Sequence, residues 1–420
     1  MIPIYSIDQL PLSRILRREA AEGPDVGAAV SAILRAVRQE GDAALRRYAK
    51  EFDQAELTDL EVPAGRLQAV AADLPADLRA ILEEAADRIR DFHRRQLREG
   101  FTVAERPGVI LGQKVTPLDR VGLYIPGGTA AYPSSVLMNA IPAKLAGCGE
   151  VVMVSPPACG GDIHPVILAA AAIAGVDRVF RVGGAQAVAA LAYGTETVPK
   201  VDKIVGPGNA YVAEAKRQVF GLVDIDMIAG PSEILVIADG GSDAAQVAAD
   251  LLSQAEHDKM ATAVLVTDSP ALARSVQEEL ARQLPLLPRQ EIAQASLRQN
   301  GKIILVHSIE EAVEISNAIA PEHLELCVDS PFDYLSQVRH AGSVFLGRYC
   351  PEAVGDYFAG PNHTLPTGGA ARFMSPLGVD DFVKRTQFTC YTADALRADT
   401  AKIAAFARQE GLEAHARSAE

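Results

Sequence analysis

The chain lacks the features that mark membrane, nucleic-acid-binding and secreted proteins. Within its 420 residues no apolar run approaches the ~20 residues that span a bilayer, and the longest, Pro165 to Val176, is typical of a buried helix. The formal net charge is −14 with no basic patch, whereas phosphate neutralisation needs clustered Lys and Arg. Residues 1–5 contain neither the basic segment nor the cleavage site of a secretion signal. We expect a cytoplasmic protein that binds neither membranes nor nucleic acid.

Cysteine is scarce, and its distribution argues against a disulfide framework. The number of cysteines is five, which is odd, and no two of them form a Cys-x-x-Cys pair. We predict that each is a small buried hydrophobic residue rather than a reactive thiol. The five are Cys148, Cys159, Cys327, Cys350 and Cys390.

The order of predicted elements indicates an α/β fold. Residues 8–55 and 76–98 have the spacing of amphipathic helices, and from about Asp119 strands, Gly-rich turns and helices alternate. The predicted strands are 121–125, 150–155, 178–181 and 203–205, followed in a second series by 234–238, 262–267, 302–306, 324–328 and 343–346. Short strand–helix–strand connections predict parallel sheets. We therefore expect two incomplete Rossmann-like parallel-sheet domains with helical arms at the N- and C-termini, and such arms favour an oligomer.

Three glycine-containing loops follow predicted strands and favour nucleotide binding. Helices that begin after the strands of a parallel sheet present free amides to anionic ligands. Each loop also ends in, or is followed by, a hydrogen-bonding side chain: Thr129, Gln186 or Asn209. None is a Gly-x-Gly-x-x-Gly, so ordinary tight turns remain the alternative. The loops are Pro126-Gly127-Gly128, Gly183-Gly184-Ala185-Gln186 and Gly206-Pro207-Gly208-Asn209.

A set of polar residues in the second half of the chain predicts a metal site. Gln254 and His257 are three positions apart on a predicted helix and therefore share one face. With Asp356 and the solitary His415 they offer two nitrogen and two oxygen donors. Such a set suits Zn²⁺, with Mn²⁺ or Co²⁺ as alternatives.

Glu322 and His323 form an adjacent acid–imidazole pair suited to proton transfer. Imidazole titrates near neutral pH, and a neighbouring carboxylate is a second candidate base. Neighbours in a regular strand point to opposite faces, so both reach one site only where a strand begins irregularly. His363 is left open between a group that supports the site and a substrate contact.

Several long motifs resemble those of histidinol dehydrogenases. They are Gly-Pro-Ser-Glu at 230–233, Ser-Gln-Ala-Glu-His at 253–257, Pro-Glu-His-Leu-Glu at 321–325, Gly-Asp-Tyr at 355–357 and Gly-Pro-Asn-His-Thr-Leu-Pro-Thr-Gly at 360–368. The likeness extends from Val37-Arg38 to the segment that contains Glu410 and His415, which is nearly the whole chain.

The resemblance implies a zinc-dependent homodimer that oxidises L-histidinol to L-histidine through an aldehyde with two NAD⁺, the last step of histidine biosynthesis. It implies Gln254, His257, Asp356 and His415 as zinc ligands, His415 and Glu410 coming from the partner subunit. Glu322 and His323 match the proton acceptors, and Tyr124, Gln186 and Asn209 match contacts to the nicotinamide nucleotide. The positions that match substrate contacts are Ser232, Gln254, His257, His323, Asp356, Glu410 and His415.

The expected domain boundaries follow from this resemblance and from the two series of elements. An N-terminal arm covers residues 1–20, and residues 119–233 form the domain with the nucleotide-binding loops. Residues 21–118 and 234–372 together form the domain with most metal ligands and the catalytic pair. A C-terminal arm, 373–420, is expected to lie on the partner subunit.

Three other functions remain open at the level of sequence. Related proteins with this scaffold oxidise other small polar alcohols. A zinc hydrolase would also use His, Asp, a Glu base and water, but it has no use for the nucleotide-type loops. A non-catalytic metal-binding protein has no use for Glu322-His323.

Overall fold

The computed structural model describes residues 2–8, 26–127, 131–158 and 160–420. These residues form two parallel β-sheets, of five and six strands, and a three-stranded antiparallel sheet. Helices fill the connections between the parallel strands. The predicted α/β class with two parallel sheets is confirmed.

The five-stranded sheet contains the first predicted series of strands. Its spatial order is β6-β5-β4-β7-β8, and all neighbours are parallel. Each predicted strand of this series lies within one residue of its observed position, because each is a short apolar run bounded by a Gly or Pro turn. The strands are β4 (Arg120–Tyr124), β5 (Glu150–Ser155), β6 (Arg178–Arg181), β7 (Lys203–Val205) and β8 (Asp224–Ile225). The helices between them are α5 (Pro133–Ala146), α6 (Pro165–Ala174), α7 (Gly184–Tyr193) and α8 (Ala210–Val219).

The N-terminal helices pack against this sheet. Val30 and Leu34 share a buried cluster with residues of α7 and α8, and Leu82 and Ile89 share a second with residues of α5 and α6. The buried side chains of these helices therefore pack on the five-stranded sheet. The expected division into domains stays a prediction. The helices are α1 (Gly27–Glu40), α2 (Asp42–Phe52), α3 (Ala64–Asp73) and α4 (Ala76–His93).

The six-stranded sheet contains the second series, in the order β1-β11-β10-β9-β12-β13, and all its pairs are parallel. Strand β9 is buried along its whole length, as expected for a strand covered on both faces. The strands are β1 (Ile4–Ser6), β9 (Glu233–Ala238), β10 (Thr262–Thr267), β11 (Lys302–Leu305), β12 (His323–Cys327) and β13 (Ser343–Leu346). The helices are α9 (Ala244–Ala255), α10 (Pro270–Gln283), α11 (Gln290–Gln299), α12 (Ile309–Ile319), α13 (Phe332–Leu335) and α14 (Glu352–Tyr357).

The terminal segments differ from the helical arms expected from the sequence. In the N-terminal segment, Ile4–Ser6 is an edge strand paired with β11, and residues 9–25 lie outside the described residues. In the C-terminal segment, β14 (Val383–Tyr391) pairs with β3 (Val109–Pro117), which pairs with β2 (Phe101–Arg106). Only α15 (Ala393–Gln409) and α16 (Glu413–Ala419) agree with the predicted arm.

Two expectations about composition can be compared with the described residues. Cys148 and Cys327 are buried as predicted, but Cys390 is exposed on β14 and Cys350 is half-buried, while Cys159 lies outside the described residues. Searched over the described part of the chain, no helix combines the length and the apolar character that crossing a membrane requires.

A buried ion pair holds the third glycine loop against the sheet. Lys216 and Asp226 are in contact with side chains only 2% and 1% exposed, and Lys216 Nζ donates to the Gly206 carbonyl at 3.0 Å. The Gly206 amide donates to Asp226 Oδ2 at 2.7 Å. Gly206 has φ +115°, and a Cβ there would lie 2.1 Å from the Tyr124 carbonyl oxygen, so only glycine fits. The pair thereby fixes the loop that leads to Asn209.

We predict that Asp226→Asn lowers the free energy of unfolding by about 3–5 kcal/mol, because it leaves the Lys216 ammonium buried without its counter-charge. Urea unfolding followed by circular dichroism measures the change. Glu214→Gln is the control, since its partner Arg217 is 59% exposed and such surface pairs contribute ~1 kcal/mol or less. Equal losses in both variants would contradict the special role of the buried pair.

Candidate active site and nucleotide cavity

The predicted catalytic pair, Glu322 and His323, lies at the amino end of a central strand of the six-stranded sheet. His323 is the first residue of β12 and pairs with Ile234 of β9 and Ser343 of β13. Glu322 precedes the strand, so the alternation of side chains does not apply to it. Both residues are buried: Glu322 is 6% exposed and His323 is 4% exposed. The irregular strand start expected for this pair is confirmed.

The contacts of His323 indicate where its ring proton lies. Nδ1 is 3.1 Å from the Glu233 carbonyl oxygen and 3.1 Å from Gln254 Oε1, and both atoms only accept hydrogen bonds. We therefore assign the proton to Nδ1. Nε2 is buried and has no hydrogen-bond partner among the described residues. Burial lowers the pKa of His323 to about 3, so the ring is neutral and Nε2 carries a free lone pair.

Glu322 lies beside the ring in an environment that favours its protonated form. Its Oε2 accepts from the Glu233 amide at 2.9 Å and lies 3.8 Å from His323 Nδ1. Burial raises the pKa of Glu322 well above its usual value, and the nearby Asp356 charge acts in the same direction. The raised pKa makes the ionised form of Glu322 a stronger proton acceptor than an ordinary carboxylate.

Asp356 connects the pair to two further histidines. Its Oδ1 lies 3.9 Å from His323 Nε2 and 3.9 Å from His363 Nδ1. His257 is near enough for its charge to lower the pKa of both His323 and His363, although burial is the larger cause for each ring. Burial also raises the pKa of Asp356 to about 6. His363 Nδ1 faces the Asp356 carbonyl oxygen at 3.2 Å, which makes it a neighbour of the predicted metal ligand.

Glu352 is a member of the cluster that the sequence reasoning missed. Its Oε1 lies 3.5 Å from His323 Nδ1, and its amide donates to Glu325 Oε1 at 2.7 Å. Burial, together with nearby acids including Asp356 and Glu322, raises the pKa of Glu352 well above its usual value. The available signal was its spacing, because Glu352 and Asp356 are four apart and share one face of α14.

The described donors only partly coincide with the predicted metal ligands. Three groups, His323, Glu352 and Asp356, offer ligand atoms within 4.8 Å of one another. Of the predicted set, Asp356 belongs to this group and Gln254 contacts His323, with its Nε2 buried and unpartnered. None of the acids Glu322, Glu352 and Asp356, of which the first two are buried and the third half-buried, pairs with Lys or Arg in the part of the chain that the structure describes. Acids buried in this way suit a cation as their counter-charge.

The other predicted substrate positions are divided between this cluster and the C-terminus. Ser232 precedes β9, and its side chain hydrogen-bonds to Glu322. Glu410 and His415 are exposed on the C-terminal helices, at the end of α15 and within α16. Neither belongs to the cluster around His323 in the described residues, and their predicted supply by a partner subunit stays a prediction.

A large cavity lies at the carboxyl ends of the five-stranded sheet. Its volume is about 1110 Å³, and Tyr124, Gln186 and Asn209 all line it. Tyr124 ends β4, and its hydroxyl accepts from the Gly184 amide at 3.1 Å; burial raises its pKa to about 12. Asn209 caps α8, its Oδ1 accepting from the Tyr211 and Val212 amides.

The cavity has a shape and lining suited to a cofactor. Its walls are mainly apolar, and its volume suits a dinucleotide better than a small metabolite. Gln186 is 2% exposed, and its Oε1 has no partner among the described residues. Gly127 also lines the cavity, whereas Gly128 and Thr129 of that loop lie outside the described residues.

Comparison with known proteins gives one consistent family. The family model described as histidinol dehydrogenase matches residues 16–420. The histidinol dehydrogenase of Syntrophotalea carbinolica is 56% identical over 409 residues, which cover 97% of this chain and 95% of that protein. That of Halalkalibacterium halodurans is 55% identical over 404 residues, covering 96% and 95%.

A solved structure gives the same result for the fold. The crystal structure of histidinol dehydrogenase from Elizabethkingia anophelis superposes with a TM-score of 0.94 at 38% identity, covering 100% of this chain and 97% of that one. The suspected resemblance is therefore confirmed over nearly the whole chain. The chain belongs to the histidinol dehydrogenase family and is an NAD-dependent oxidoreductase.

Proposed function

We propose that this protein oxidises L-histidinol to L-histidine through L-histidinaldehyde, in four electrons and with two NAD⁺, as the last step of histidine biosynthesis. The observation that carries the proposal is the buried, neutral His323 in a chain of this family. Its unpartnered Nε2 lies near Asp356, and Glu322 lies on the Nδ1 side of the ring. An alcohol whose hydroxyl donates to Nε2 would have its proton acceptor in place. The burial of the ring would keep most water away from that hydroxyl.

Zinc is the proposed counter-charge of the acids in the cluster. Gln254, His257, Asp356 and the partner subunit's His415 would hold it, because His323 must stay free to accept a proton. Bound zinc would supply a positive charge that anchors the imidazole and amine of the substrate. The set fits a divalent ion, since Asp356 and Gln254 both contact His323 and no Lys or Arg among the described residues neutralises the acids.

His323 and Glu322 are proposed to divide the proton transfers between two oxidation steps. In the first, His323 Nε2 takes the hydroxyl proton while hydride passes from the carbinol carbon to NAD⁺, giving the aldehyde and NADH. In the second step, Glu322 takes a proton from a water molecule while the oxygen of that water adds to the aldehyde carbon. The resulting gem-diolate loses a second hydride to the second NAD⁺ and its hydroxyl proton to give the carboxylate. Ser232, which hydrogen-bonds to Glu322, is a proposed substrate contact.

The nucleotide is proposed to occupy the cavity lined by Tyr124, Gln186 and Asn209. The chain links this cavity to the cluster around His323: Ala131 lines the cavity, and Ser135, four residues later in the first turn of α5, lies 3.4 Å from His363 Nε2. The nicotinamide end would lie at this side, because hydride must reach it directly from the substrate.

A homodimer is proposed because the C-terminal helices leave apolar side chains uncovered in the single chain. Phe406 is 70% exposed, and Leu412 and Ile403 are 41% and 39% exposed on the same two helices that carry Glu410 and His415. A second copy that covers these side chains would bring Glu410 and His415 to its own cluster. The cytoplasmic location expected from the sequence stays a prediction.

We predict that His323→Asn and Glu322→Gln impair different steps. His323→Asn should slow NADH formation from L-histidinol by about 10²–10⁴-fold, because the hydroxyl loses its proton acceptor. Glu322→Gln should slow NADH formation from L-histidinaldehyde by a similar ~10²–10⁴-fold and leave the first hydride transfer less affected. Single-turnover absorbance with each substrate measures both.

Exposed residues of the same types provide the controls for these variants. His307→Asn and Glu310→Gln are substitutions at exposed positions outside the cluster and should leave both rates unchanged. Equal losses for the two cluster variants on both substrates would contradict the division of roles.

We predict that two inactive variants restore activity when they share a dimer. Asp356→Ala and His415→Ala homodimers should each lose zinc and activity, because each lacks one proposed ligand in every site. A heterodimer purified through two different tags should recover about half of the unmodified activity and zinc, since one of its two sites combines intact Asp356 with intact His415. A heterodimer without zinc or activity would show that both ligands come from one chain.

A further inference from the structure

Asp53 is an acidic residue in the wall of the nucleotide cavity that neither the motifs nor the proposed mechanism uses. It follows the last residue of α2, where its amide and that of Ala55 both donate to the Ala49 carbonyl at 3.1 Å. Gln54 between them has φ +54°, in the left-handed region that side chains other than glycine rarely adopt. These two hydrogen bonds and the conformation of Gln54 define the turn, which places Asp53 beside Phe52 in the wall of the cavity.

The half-buried Asp53 has one carboxylate oxygen that is buried without a partner. Its Oδ2 is inaccessible and has no hydrogen-bond partner among the described residues, and Gln186 Oε1 in the same cavity is in the same state. Both atoms are acceptors, and a buried acceptor left unpaired costs free energy. The chemistry that satisfies two acceptors in one cavity is a ligand with hydroxyl or N–H donors, such as a sugar diol.

The position of Asp53 indicates which half of a dinucleotide it meets. Ala131 lines the cavity and lies four residues before Ser135, which contacts His363 beside the predicted catalytic pair. Asp53 comes from the end of α2, which packs on α1 and α7 rather than on the six-stranded sheet. With nicotinamide at the catalytic side, the adenosine half lies toward α2.

The charge in the cavity disfavours a second phosphate on that sugar. Among its described lining residues there is no Lys or Arg, and Asp53 is the acid. Burial raises the pKa of Asp53 to about 6, so the side chain is mostly ionised at pH 8. A phosphate ester next to it would meet like charge without a compensating base.

We propose that Asp53 accepts hydrogen bonds from the ribose hydroxyls of the adenosine half of NAD⁺ and thereby selects NAD⁺ against NADP⁺, whose 2′-phosphate replaces a donor with an anion. The inference rests on the proposed placement of the nucleotide in this cavity. It gives a physical basis for cofactor choice, which the motifs alone do not provide. In this role Asp53 determines cofactor specificity and does not contact the reacting atoms.

The test compares Asp53→Asn and Asp53→Ser with unmodified protein in steady-state kinetics at pH 8 with saturating L-histidinol. The KM for NAD⁺ should rise about ten-fold or more while kcat stays within about two-fold, because only cofactor binding loses a charged hydrogen bond. The preference for NAD⁺ over NADP⁺, as a ratio of kcat/KM values, should fall by at least about ten-fold. Asp59→Asn, at an exposed position six residues away, is the matched control and should change neither value.

Two readouts separate this role from a structural one and from failure of the proposed function. Calorimetric titration with NAD⁺ in the absence of substrate should show the same weakening, whatever alcohol the enzyme oxidises. The cofactor-free Asp53→Asn protein should melt at the same temperature or higher, because it no longer buries an unpaired carboxylate. Unchanged NAD⁺ affinity, or equal weakening for NAD⁺ and NADP⁺, would overturn the proposal. Loss of thermal stability together with kcat in both variants would also overturn it.

Discussion

Burial of acid around His323 is the constraint on which the rest of this structure depends. Glu322, Glu352 and Asp356 surround one imidazole, and burial raises the pKa of each. Among the described residues no Lys or Arg pairs with them. A protein core does not keep such a group without a cation or a ligand to compensate it. The same burial keeps His323 neutral. The environment that favours a bound cation therefore also keeps His323 Nε2 able to accept a proton.

The two parallel sheets place their proposed functional residues at opposite ends of their strands. The cavity proposed for the nucleotide lies at the carboxyl ends of the five-stranded sheet, the usual position for a cofactor in parallel sheets. The predicted catalytic pair lies at the amino ends of β9 and β12 in the six-stranded sheet. The carboxyl ends of one sheet and the amino ends of the other would therefore serve the same proposed reaction. Residues from the two sides meet at the contact between Ser135 and His363.

Features that are local in sequence could be predicted, and features that depend on distant partners could not. Buried strands such as Glu150–Ser155 are short apolar runs between turns, and they were predicted correctly. The exposed strand Phe101–Arg106 has no such pattern and belongs to a sheet completed by Val383–Tyr391, far along the chain. Glu352 and Asp53 were not identified for a related reason: an acid looks the same in sequence whether it is solvated or faces a cluster or cavity.

The most direct test of the central claim is the amount of NADH formed per L-histidinol, measured to completion before and after removal of metal by a chelator. The account predicts two NADH per substrate in the intact protein, because the aldehyde stays at the site and is oxidised in turn. It also predicts that NADH formation is lost on chelation and restored by Zn²⁺. One NADH per substrate with release of aldehyde, or full activity without metal, would contradict it.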